Sequence, residues 1–86
     1  MNKTAREMGI ESRKKIYDFL VSYISKNGYS PTIREISKAT GIRSTSNVYH
    51  HLMKLERMGK IHMESNKCRA ISLSDYKLMK EEWLYD

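Results

Sequence analysis

Within five consecutive residues the 86-residue chain places Ser46, Asn47, Tyr49 and His50. Their hydroxyl, amide and imidazole groups donate and accept hydrogen bonds without a fixed charge. Side chains of this kind match the donor and acceptor edges of nucleobases, asparagine pairing well with adenine. Met53 follows three residues later and suits a thymine methyl. Arg34, Lys38, Arg43 and Lys54 surround this run, and Lys67 and Arg69 lie further on. Cations so placed suit phosphate oxygens.

Other chemistries fit less well. His50, His51, His62 and Cys68 contain metal-ligating atoms. Adjacent histidines diverge by about 100° on a helix, however, and the spacings of a zinc site are missing. His51 falls beside an apolar stripe and reads as a packed structural histidine. Cys68, between Lys67 and Arg69, reads as an exposed bystander thiol. No Ser-His-Asp set, carboxylate pair or Gly-rich phosphate loop stands out. The expectation is a binding protein with no catalytic residue, metal or cofactor.

Composition agrees with that reading. The chain is 40% hydrophobic and 30% charged, ordinary globular values, and its length suits one small domain. Sixteen Lys and Arg against ten Asp and Glu leave a net charge of +6. Residues 1–73 carry +8 and residues 74–86 carry −2, so the basic excess sits in the body and points to a polyanion. No apolar run approaches the roughly 20 residues of a membrane helix, and residues 1–11 lack a signal-peptide core. A lone cysteine cannot form an intrachain disulfide, which fits a reducing cytosol.

The elements that must hold the polar run follow from local patterns. Ile16, Phe19, Leu20, Tyr23 and Ile24 recur at helical spacing, predicting a helix over residues 12–27 that ends at Asn27-Gly28. Tyr29-Ser30-Pro31 is then extended, because the residue before proline is excluded from the α region. Thr32 and Glu35 form a capping box for a short helix over residues 33–39, with Ile33 and Ile36 inward and Thr40-Gly41 as its stop. Ser44 caps a third helix running to about Met58, with Val48, Leu52 and Leu55 inward and Gly59 closing it. A helical wheel at roughly 100° per residue puts Ser46, His50, Met53 and Arg57 on the outer strip, flanked by Asn47 and Tyr49. Beyond Gly59 the period becomes 2. Ile61 and Met63, then Ile71 and Leu73, predict a β-hairpin with a polar tip at residues 65–68.

This order predicts an α+β fold, a winged helix-turn-helix: a three-helix bundle, a hairpin wing and a short C-terminal helix. Residues 1–11 are expected as an arm, 12–73 as the domain and 74–86 as a tail. From Lys15 to Leu73 the chain resembles the N-terminal DNA-binding domain of LexA, the repressor of the bacterial DNA-damage (SOS) response. Asn27-Gly28-Tyr29-Ser30-Pro31-Thr32-Ile33-Arg34-Glu35-Ile36 and Gly41-Ile42-Arg43-Ser44 carry the likeness. It continues through Val48-Tyr49-His50-His51-Leu52-Met53-Lys54-Leu55-Glu56-Arg57-Met58-Gly59 to Arg69-Ala70-Ile71. The resemblance implies that the third helix enters the major groove and the wing touches the backbone. It also implies that Ser44, Ser46, Asn47, Tyr49 and His50 are base-reading positions.

Two departures from the family bear on function. The best-known members begin this helix Ser-Pro-Asn-Ala-Ala-Glu-Glu-His, whereas here it reads Ser44-Thr45-Ser46-Asn47-Val48-Tyr49-His50-His51. Other LexA-like proteins share the Ser-Thr-Ser opening, so the fold reading stands and the operator is unspecified. LexA repressors also continue into a peptidase with a serine–lysine dyad that cuts an Ala-Gly bond. No Ala-Gly pair occurs here, so self-cleavage is not expected of these residues; two readings stand, a piece of a longer repressor and, slightly favoured, a stand-alone LexA-like protein of phage or mobile-element origin.

The resulting expectation is a cytoplasmic, nucleoid-associated repressor of LexA type that binds double-stranded DNA. It would pair on inverted half-sites, through Tyr76, Met79 and Trp83 or through contacts made only on DNA. The alternative is a protein-interaction module, an antirepressor or adaptor, on the same scaffold.

Overall fold

The computed structural model describes residues 5–64 and 71–74. Helix α1 spans Ala5–Asn27, α2 Ile33–Thr40 and α3 Thr45–Arg57; strands β1 (Ile61–Met63) and β2 (Ile71–Leu73) follow. Three helices and an antiparallel hairpin form the α+β winged helix-turn-helix that the sequence predicts. The wing tip and all of the tail beyond Ser74, with the C-terminal helix expected there, lie outside the described residues.

Helix α1 departs from expectation at its start. Residues 5–11, read as an arm, form its first two turns. Half-buried Ile10 and buried Arg13 and Tyr17 continue the inward stripe of Ile16 and Leu20 toward the N-terminus. A charged residue within that stripe hid the period. Once nucleated, a helix adds residues at little cost, and Glu7 in the first turn favours the positive end of the macrodipole.

The core lies where the three helices meet. Ile16, Leu20, Ile36, Val48, Leu52 and Leu55 are fully enclosed, and Tyr17 and Ile61 join them. In the hairpin, Ile61 pairs with Leu73, His62 with Ser72, and Met63 with Ile71. The alternation turns Ile61, Met63, Ile71 and Leu73 onto the core and His62 and Ser72 outward. Among the described residues two charged side chains are buried against the usual rule. Arg13 is only 5% exposed and Lys60 only 3%, the latter with its ammonium 6.0 Å from the centre of the Tyr17 ring.

Candidate nucleic-acid interface

The outer face of α3 is set by what holds the two ends of α2. At its start the Thr32 hydroxyl accepts from the Glu35 N–H at 3.1 Å, and the Thr32 N–H donates to the Glu35 carboxylate at 2.8 Å. This is the capping box expected from the sequence. At its end Gly41 adopts φ +77°, the left-handed conformation in which side chains are strained. The turn behind it is held from both sides. The Ser37 hydroxyl donates to the Ile42 carbonyl, and the Thr40 hydroxyl donates to the Ile36 carbonyl at 2.7 Å and accepts from the Ile42 N–H at 3.4 Å.

Helix α3 then starts at the N-cap Ser44, whose hydroxyl oxygen accepts from the Asn47 N–H at 3.2 Å. That bond leaves the Ser44 hydroxyl proton for another acceptor. Val48, Leu52 and Leu55 are buried, which turns Ser46, Asn47, Tyr49, His50, Met53 and Arg57 into solvent. Among these, Tyr49 is 46% and Met53 39% exposed. From Arg43 to Lys54 there is no carboxylate. An open groove of about 310 Å³ brings Ser46, Tyr49 and His50 together with Thr45 and with Ile33 of α2. The C-terminal end differs by one residue from expectation: Met58 is the C-cap and Gly59, at φ +80°, follows it. The Gly59 N–H donates to the Glu56 carbonyl and the Lys60 N–H to the Leu55 carbonyl, a Schellman closure that starts the hairpin.

The candidate cations divide by position. Arg34 and Lys38 are exposed on α2 and line a second groove, about 430 Å³, with Glu35, Ser37 and Thr45. Arg43 is exposed in the turn, whereas Lys54 is half-buried on α3. Lys67 and Arg69, with Cys68 between them, lie outside the described residues. His51 is half-buried, as its place beside the core stripe suggests. Burial, then Arg13, His50 and Lys54, hold its imidazole below the ordinary value of 6.5.

Sequence reasoning missed the residues that fix the hairpin to the helices. The Met63 N–H donates to Glu56 Oε2 at 3.1 Å, and the same oxygen lies 3.6 Å from His62 Nδ1. The Ile71 N–H donates to the hydroxyl of buried Ser30 at 3.4 Å. Met63 and Ile71 face each other in the register, so one rung of the wing is tied on one side to α3 and on the other to the loop before α2. No pattern within a few residues announces either tie, since Ser30 and Ile71 are 41 positions apart.

The chain matches the family model described as the LexA DNA binding domain over residues 10–70. It is 42% identical over 81 residues to a LexA repressor of Clostridium botulinum, covering 94% of this chain and 38% of that protein. It is 40% identical over 70 residues to one of Clostridium tetani, covering 81% and 35%. It is 45% identical over 67 residues to one of Acetivibrio thermocellus, covering 78% and 32%. The chain therefore spans less than two-fifths of the length of these relatives.

Proposed function

Because the chain belongs to the LexA DNA-binding domain family, we propose that it binds double-stranded DNA sequence-specifically and represses transcription in the manner of LexA. The outer face of α3 enters the major groove, where Ser44, Ser46, Asn47, Tyr49 and His50 read base edges. Arg34, Lys38, Arg43 and Lys54 meet phosphates beside it, with Lys67 and Arg69 of the wing. On this reading these residues act by occupying the DNA, and none of them is assigned a catalytic step or a cofactor. It acts in the cytoplasm on the nucleoid, and two copies pair on inverted half-sites, doubling a readout too small for one module. Among the described residues no helix is long and apolar enough to cross a membrane.

One observation carries this reading: the exposed first turns of α3 are polar, free of carboxylates, and presented by a turn capped at both ends. A surface meant only for solubility would interleave acids with bases. Tyr49 and Met53, both exposed, are the feature that favours the protein-interaction alternative. Two side chains among polar neighbours make a much smaller apolar patch than the several hundred Å² usual for a protein interface.

Selection of bound duplexes from a random pool, followed by gel-shift titration at several salt concentrations, tests the proposal. The expected result is one enriched motif, preferred over scrambled DNA, with log Kd rising linearly in log salt. Equal affinity for every duplex would refute sequence-specific reading. No binding at low salt would favour the adaptor alternative.

A further inference from the structure

Helix α3 combines hydrogen-bonding side chains with two exposed apolar ones. Tyr49 and Met53 stand four residues apart, so they lie on one side of the helix, one turn above the other. Neither fills the core, which Val48, Leu52 and Leu55 complete from the opposite face. Tyr49 also walls the groove in which Ser46 and His50 meet Thr45 and the partly buried Ile33. The outer surface of α3 is therefore divided lengthwise. Ser46, His50 and Asn47 form a polar side, and Tyr49, Met53 and the Ile33 flank form an apolar edge. Isolated apolar groups on a helix face without carboxylates, beside a groove that shares Thr45 with the one lined by Arg34, Glu35 and Lys38, call for an apolar group carried on a polyanion. The major groove offers one such group, the 5-methyl of thymine.

We propose that Tyr49 and Met53 read thymine methyl groups, so that part of the specificity rests on apolar contact and not on hydrogen bonds. This rests on the DNA-binding reading above and adds the base that the apolar edge selects. Four residues of helix advance about 6 Å, and stacked bases are about 3.4 Å apart, so the two side chains address thymines within about two base steps. Ser46, Asn47 and His50 read the neighbouring base edges.

The test uses the 86-residue chain and the duplex enriched from the random pool. Each thymidine is replaced in turn by deoxyuridine, which removes the methyl and leaves pairing intact. Kd is expected to rise about fourfold at one or two thymines lying within two steps of each other, the effect of losing one methyl-sized apolar contact. In Met53→Ala or Tyr49→Ala the penalty at one of those thymines should vanish, and in Met53→Leu it should remain. Both side chains are exposed, and a melting curve for each variant checks that the fold is kept. Equal affinity for all uracil-substituted duplexes would overturn the proposal and leave the repressor reading standing. So would a penalty that persists unchanged in both alanine variants. Failure to enrich any duplex would overturn the DNA-binding reading, and this proposal with it.

Discussion

Replacing Glu56 tests whether the wing is held to α3 by a side-chain acceptor. In Glu56→Ala the Met63 N–H loses a carboxylate oxygen 3.1 Å away, and His62 loses its neighbour at 3.6 Å. A hydrogen bond to a charged group contributes about 1.5–3 kcal/mol when water is excluded. Here the Glu56 side chain is 38% exposed, so water competes and about 1 kcal/mol is the better figure. The contact with His62, itself 67% exposed, adds at most a few tenths of a kcal/mol. An opposing effect comes from the helix: a carboxylate in the last turn of α3 faces the negative end of the macrodipole, so its removal returns about 0.3 kcal/mol or more. The net expectation for Glu56→Ala is a loss of about 1 kcal/mol, or about 4–8 °C in melting temperature. Glu56→Gln keeps an oxygen acceptor and sheds the charge, so its stability should equal or slightly exceed that of the parent. Urea unfolding followed by circular dichroism gives the ordering, and hydrogen exchange at the Met63 amide localises it. Equal stability of the alanine and glutamine variants, with unchanged exchange at Met63, would refute the reasoning.

Four other outcomes are expected. His51 is held below its ordinary value in the folded protein, so the unfolded chain takes up a proton that the fold resists. Stability should fall as pH drops from about 7.5 to about 5.5, and His51→Gln should flatten that part of the melting-temperature profile. Gly41→Ala should cost about 1–2 kcal/mol in chemical denaturation purely through φ +77°, since an added Cβ meets nothing within 4 Å, and Gly41→Asn should cost less. Asn47→Ala or His50→Ala should weaken the enriched duplex by about 1–3 kcal/mol and spare random DNA. Arg34→Ala, Lys38→Ala, Lys67→Ala or Arg69→Ala should weaken both and lower the salt slope by about one unit each in gel-shift titrations.

How much of this was legible beforehand depends on the range over which each feature is decided. The capping box of Thr32 and Glu35, the N-cap at Ser44 and the left-handed stop at Gly41 are settled by residues within one turn of each other, and all three stand in the chain as read from composition and spacing. The outward set of α3 follows from period 3.6, and the inward face of the two strands from period 2. The start of α1 escapes the local pattern because Arg13 occupies an inward position: a local pattern reports residue type, whereas burial depends on what arrives from elsewhere. Lys60 is hidden for the same reason, its stem enclosed and its ammonium facing Tyr17, 43 positions earlier in the chain. The wing's two ties, Glu56 to Met63 and Ser30 to Ile71, came only with the tertiary structure. An outward-pointing strand N–H is satisfied by whichever acceptor the packed helices bring beside it, and that choice exists only once the chain has folded back on itself.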